Sequence, residues 1–170
     1  MLLVGGASTR FGSPKALARF RGQSLAERAY RIIDEAFGEP IVVGKEADAL
    51  PLPFPVVDDG HDRRASIVGV AAGLRLADSE LAVMVPTDMP FLTPDYLHGL
   101  VEAAEGVDVA ASETGPLPGA YRRSALPVLE RQIAAGRFTL HRALEGLDVA
   151  IVSGNLELLR NVNTLEDLPV

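Results

Sequence analysis

The 170-residue chain has no cysteine, which removes disulfide frameworks, thiolate metal sites and thiol nucleophiles together. Histidine is sparse: His61, His98 and His141 lie too far apart in sequence for metal-ligand spacing, so surface or capping roles are expected of them. Basic charge is in deficit, with 16 Lys and Arg against 23 Asp and Glu and a formal net charge of −7. A broad nucleic-acid surface is thereby excluded, because nonspecific binding to a polyanion needs clustered Lys and Arg to release counterions. Any phosphate ligand must be met locally. No apolar run approaches the roughly 20 residues of a membrane span, and Met1 leads into an apolar strand pattern without a basic leader. A cytoplasmic protein with no membrane partner is expected. What remains is 48% hydrophobic and 23% charged, the composition of a globular protein with one core, and the length fits one domain over 1–170.

The chain is organised around its first fifteen residues. Leu2-Leu3-Val4 reads as a buried strand that stops at paired glycines and delivers the loop Gly5-Gly6-Ala7-Ser8-Thr9-Arg10-Phe11-Gly12-Ser13-Pro14-Lys15. This loop holds three Gly, three hydroxyls, Arg10 and Lys15, with no carboxylate, a composition suited to a polyphosphate. Glycines bring backbone N–H groups close to phosphate oxygens, Arg10 can fork two oxygens, and Lys15 supplies a mobile point charge. It is not a Walker A loop, since five residues separate Gly6 from Gly12 and Ala16 follows Lys15. Nor is it a dinucleotide fingerprint, because Pro14 sits inside the loop and helical periodicity starts only near Ser24.

Ser24 with Glu27 forms a capping-box pattern, and Leu25, Ala29, Ile32, Ile33 and Ala36 recur at helical spacing up to Gly38. Strands are expected at 40–44, 54–57, 81–85, 107–111 and 149–152, with 50–55 as an extended surface loop and helices near 67–76, 96–104, 125–135 and 139–144. The strands are continuously apolar, the pattern of a parallel sheet covered on both faces. Alternation of strands and helices predicts an α/β fold, a three-layer α/β/α sandwich with a mostly parallel sheet, whose rim gathers loops 5–15, 58–62 and 86–92. Asp88 follows the strand 81–85, and a carboxylate at the C-terminal end of a parallel strand sits in the crevice where ligands bind, making it the metal candidate.

The loop also resembles the signature Leu-x-Gly-Gly-x-Ser-x-Arg-Met/Phe-Gly-x-x-Lys of nucleotidyltransferases, and its Gly5-Gly6 is most similar to the molybdenum cofactor guanylyltransferase family. Thr87-Asp88-Met89-Pro90-Phe91-Leu92 is similar to that family's Thr-Asp-x-Pro-Phe-Leu, Pro116-Leu117 with Gly119 and Tyr121 to its acceptor-side strand, and Asn161-Val162-Asn163-Thr164-Leu165-Glu166-Asp167-Leu168 to its C-terminal motif. The resemblance covers essentially the whole chain and implies a nucleotide-diphospho-sugar transferase-like, Rossmann-like fold. It further implies transfer of GMP from GTP to the phosphate of molybdenum-bearing molybdopterin, with release of pyrophosphate. On this reading Gly5, Gly6, Ser8, Arg10 and Lys15 hold the phosphates, Leu3 and Val4 meet the base through backbone groups, and Asp88 holds Mg²⁺. Asp59 matches the acidic nucleotide contact, with Asp58 as the neighbour to confuse it with, and Asn161 and Asn163 are cleft residues.

The family segment Gly-Pro-Leu-Ala-Gly helps recognise guanine; here it reads Ala65-Ser66-Ile67-Val68-Gly69 and keeps only Gly69. Base choice therefore stays open between GTP and another NTP such as CTP. The acceptor stays open between molybdopterin, a sugar phosphate and a phospho-acid. A different class, a catalytically silent adaptor in contact with molybdoenzymes or cofactor-biosynthesis proteins, is disfavoured by the joint presence of Arg10, Lys15 and Asp88. Arg137 and His141 could face an anionic ligand, with surface charge as the favoured reading.

Overall fold

The computed structural model describes residues 1–5, 14–164 and 167. In chain order the elements are β1 (Leu2–Leu3), a 3₁₀ turn (Lys15–Leu17), β2 (Arg19–Phe20), β3 (Gln23–Ser24), α1 (Leu25–Phe37), β4 (Val42–Gly44), a second 3₁₀ turn (Glu46–Asp48), β5 (Val57–Asp58), α2 (Ser66–Leu76), β6 (Leu81–Pro86), α3 (Pro94–Ala103), β7 (Val109–Ser112), β8 (Gly115–Arg122), a third 3₁₀ turn (Arg123–Ala125), α4 (Leu126–Ala134), α5 (Leu140–Leu144) and β9 (Val149–Val152). Seven strands form one sheet in the order β5-β4-β1-β6-β8-β7-β9, and β2 with β3 makes a separate two-stranded ribbon. β1 runs parallel to β4 and β6, β4 to β5, and β7 to β9. Only β8 is reversed among the seven, antiparallel to both β6 and β7.

The continuous apolar strands are explained by helices on both faces. Leu2, Val42, Val83, Val85 and Ala110 enter one core with Ala29, Ile33, Leu97 and Leu100 of α1 and α3. Their sequence neighbours Leu3, Val43, Ala82, Met84 and Val109 enter the other, with Val70, Leu74, Leu129 and Leu140 of α2, α4 and α5. Because successive strand side chains point to opposite faces, both must be apolar. α1 starts at the expected capping box: Ser24 Oγ accepts from the Glu27 N–H at 3.1 Å and Glu27 Oε2 from the Ser24 N–H at 2.8 Å.

Two expectations shift. β5 begins at Val57 rather than residue 54, because Pro55 lacks an N–H for the ladder, and its register pairs Val57 with Val43 and Asp58 with Gly44. The connection 50–55 carries no regular element, as expected, yet it is only half a surface loop. Pro51, Pro53 and Pro55 are exposed while Leu52, Phe54 and Val56 are half-buried against the core, and Phe54 stacks on Tyr30 with ring centroids 4.3 Å apart. Gly44 permits the close approach of β4 to the end of β1: a Cβ there would lie 2.3 Å from the Val4 carbonyl oxygen. Among the described residues no helix is long and apolar enough to cross a membrane.

Candidate active site

The C-terminal ends of β1, β4, β5 and β6 open onto one cleft of about 380 Å³. β1 brings Leu3, Val4 and Gly5 to its floor, and β6 brings Pro86, Thr87 and Asp88 to one wall. The 3₁₀ turn after Pro14 places Lys15 against that wall, where its ammonium donates to Asp88 Oδ2 at 3.1 Å and to Asn163 Oδ1 at 3.2 Å. The loop and the strand end singled out by sequence thus meet. The Val162 N–H also donates to the Asp88 carbonyl at 2.8 Å, which seats the C-terminal segment beside this wall.

The opposite wall is built by β4, β5 and the start of α2. Asp59 lines the cleft and is buried at 8% exposure, whereas Asp58 is exposed and does not line it. The Asp58 carboxylate accepts instead from the Glu46 N–H at 2.9 Å and the Gly60 N–H at 2.7 Å. Those two hydrogen bonds, Glu46 first, hold its carboxyl below the usual aspartate range. Asp59 is paired with Lys45, whose ammonium lies 2.6 Å from Oδ1. Beside it Arg64 engages Asp48 through both terminal nitrogens, and that bond holds the Asp48 carboxyl low and raises the guanidinium. Ala65, Ser66 and Gly69 of the α2 start complete the wall. Leu117 reaches the cleft from β8, whose start is tied down by the buried Tyr121 hydroxyl donating to the Pro116 carbonyl at 2.6 Å.

Among the described residues the cleft therefore carries three cations, Lys15, Lys45 and Arg64, each set against a carboxylate that also lines it. Leu3, Val4, Gly5, Lys15, Asp59, Gly69 and Asp88 are brought together as the sequence suggested. Gly6, Ser8 and Arg10 lie outside the described residues. Asn163 touches Lys15, while Asn161 is exposed and does not line the cleft. The Asp167 carboxylate accepts from the Asn163 N–H at 2.7 Å and the Thr164 N–H at 2.8 Å. Arg137 and His141 are exposed away from the cleft, His98 packs edge-on to Phe37, and His61 edge-on to Phe138.

Lys45, Asp48 and Arg64 were not read from the sequence. Lys45 follows directly on a strand end, the same signal that singled out Asp88. Chemically the cleft offers an acceptor-only carboxylate on the β5 side and an ammonium with a carboxylate on the β6 side, and no histidine lines it among the described residues. This is equipment for binding and charge neutralisation rather than for activating a nucleophile.

Residues 1–152 match the family described as "MobA-like NTP transferase domain". A protein of Aquifex aeolicus named "Probable molybdenum cofactor guanylyltransferase" is 32% identical, over 98% of this chain and 86% of its own. The Desulfosudis oleivorans protein named "Molybdenum cofactor guanylyltransferase" is 29% identical over 99% and 91%. Among solved structures, molybdopterin-guanine dinucleotide biosynthesis protein A from Archaeoglobus fulgidus superposes with a TM-score of 0.79 at 28% identity, covering 98% of this chain and 92% of its own. The 2-C-methyl-D-erythritol 4-phosphate cytidylyltransferase of Thermus thermophilus gives a TM-score of 0.75 at 19% identity over 98% and 93%, a likeness of fold alone.

Proposed function

Since this chain belongs to the MobA-like NTP transferase domain family, we propose that it transfers GMP from GTP to the phosphate of molybdenum-bearing molybdopterin, releasing pyrophosphate. The chain is a nucleotidyltransferase with the nucleotide-diphospho-sugar transferase fold. The observation that carries the finer reading is the convergence of Lys15 and Asp88 on one wall of a cleft whose other wall presents Asp59 and the open face of Gly69. All of 1–170 is read as one domain, because Leu159 and Val162, beyond the family match, are buried against the rest. A cytoplasmic setting suits this chemistry, and molybdoenzymes or cofactor-biosynthesis proteins are the partners it implies.

An oxygen of the acceptor phosphate attacks the α-phosphorus of GTP. The new P–O bond forms as the bond from the α-phosphorus to the bridging oxygen breaks, and pyrophosphate leaves with that electron pair. A phosphate monoester is already anionic near neutral pH, so the residues need only orient two anions and offset their charge. Backbone N–H groups after β1 and the Lys15 ammonium hold the phosphates, with Gly6, Ser8 and Arg10 assigned to the same task. Asp59 accepts from the base, whose plane lies against Leu3, Val4 and Gly69. Mg²⁺ is the metal implied, and a lone strand-end carboxylate fits it: the ion keeps several waters and takes further ligands from substrate phosphates. Asp88 would hold it, and among the described residues there is no cluster of three carboxylate or imidazole groups. Bound there, the metal supplies charge neutralisation at the phosphates.

The altered segment 65–69 favours one second reading, cytidylyl transfer. Calorimetric titration with GTP, CTP, ATP and UTP, each with Mg²⁺, separates the readings. Preference for GTP is expected. Preference for CTP would replace guanylyl by cytidylyl transfer, and no binding of any of the four would leave a silent adaptor.

A further inference from the structure

Lys45 stands one residue beyond β4 and Asp59 one residue beyond β5, on adjacent parallel strands. Their side chains are only 10% and 8% exposed. Such a pair gives little net stability over apolar residues of similar volume, because both charges are stripped of water. Its place on the wall of an open cleft therefore calls for a reason beyond folding. The geometry around Asp59 supplies one. Oδ1 accepts both the Lys45 ammonium at 2.6 Å and the His61 N–H at 3.1 Å, and the Asp59 N–H donates to the Gly44 carbonyl at 2.9 Å. Lys45 also donates to the His61 carbonyl, so it ties the carboxylate and the loop behind it together. These contacts fix the carboxylate and leave Oδ2, which takes no hydrogen bond among the described residues, as the oxygen available to a ligand.

We propose that Lys45 is a positioning residue for base selection: it holds Asp59 so that Oδ2 meets a base that presents hydrogen-bond donors. The inference rests on the guanylyl reading. A carboxylate is acceptor-only, and guanine offers it N1–H and the 2-amino group, whereas cytosine and adenine present acceptors on the corresponding ring nitrogen. Arg64 is occupied by Asp48, so the adjacent cation is not a substitute for Lys45.

The test titrates GTP, ITP, CTP and pyrophosphate into the wild-type chain, Lys45→Ala and Lys45→Arg, with thermal melts as the control for folding. ITP keeps N1–H and lacks the 2-amino group. A hydrogen bond to a charged group is worth roughly a tenfold or larger preference for GTP over ITP in the wild type. In Lys45→Ala that ratio is expected to fall close to one with pyrophosphate binding unchanged, and Lys45→Arg is expected to restore it. An unchanged GTP:ITP ratio in folded Lys45→Ala overturns the inference. Equal losses for GTP, CTP and pyrophosphate overturn it too, by making Lys45 a phosphate contact. Should Lys45→Ala fail to fold, Lys45→Gln keeps an N–H donor without the charge and is read by the same ratio, a lowered value supporting and an unchanged value refuting. A wild-type chain that prefers CTP removes the guanylyl reading itself, whereas GTP preference with a ratio indifferent to Lys45 removes only the positioning role.

Discussion

One methyl group separates two reasons for Gly69. Among the described residues a Cβ there would meet only the Leu3 side chain, at 3.5 Å, so packing does not demand glycine, and in a helix interior alanine is favoured by about 0.5–1 kcal/mol. The methyl would instead narrow the cleft that Gly69 lines. Gly69→Ala is expected to raise stability to chemical denaturation by about 0.5–1 kcal/mol while weakening nucleotide binding. A gain in stability with unchanged affinity would take Gly69 out of the site. Asp88 gives the opposite contrast. Its pair with Lys15 is partly exposed, so Asp88→Ala should shift stability by no more than about 1 kcal/mol and yet lower turnover by at least about a hundredfold. A folded variant with wild-type turnover would end its assignment. Asp88 was legible because strand ends mark ligand crevices in α/β sheets, whereas Gly69 was legible only as the one residue kept from the family segment at 65–69. Asp58 and Asp59 could not be told apart from sequence, since neighbouring strand-end side chains diverge and only the fold shows which one the Glu46 and Gly60 amides occupy. Lys45 looked like any surface lysine because its partner lies 14 positions away.

At the scale of an element, α1 shows how a local signal becomes a measurable acid limb. Glu27 closes the capping box, and its hydrogen bonds with Ser24, side chain first, lower its carboxyl below the usual glutamate range. A folded-state value below the unfolded one means the contribution is fully present above about pH 4.5 and is lost as the pH falls through the depressed value. Glu27→Gln, which keeps an acceptor but no titrating group, should therefore flatten the loss of stability below that pH in denaturation curves. A wild-type acid limb in Glu27→Gln would place the effect elsewhere. α1 was legible because a capping box is written in four consecutive residues. β1, β4, β6 and β7 were legible as apolar runs, since each feeds two cores at once, whereas the β2–β3 ribbon carries no such run and was not read. The direction of β8 was not, because pairing direction depends on neighbours far along the chain and no composition encodes it.

At the scale of the molecule, the reversed β8 sits between β6 and β7 and interrupts an otherwise parallel succession. That insertion brings Leu117 into the cleft. The net charge of −7 excluded a polyanion surface from sequence alone, but it could not show that the cleft carries its cations in pairs. Pairing is a tertiary property: Lys15 with Asp88 and Arg64 with Asp48 join separate loops. The contacts from Lys15 to Asn163 and from Val162 to Asp88 also join distant parts of the chain, 148 positions apart in the first case. Synthesis runs from the N-terminus towards the C-terminus, so β1 and Lys15 leave the ribosome well before residues 162–163. The Lys15 wall is thus completed only once residues 162–163 join it, and a nascent chain that stops short of them lacks that half of the cleft.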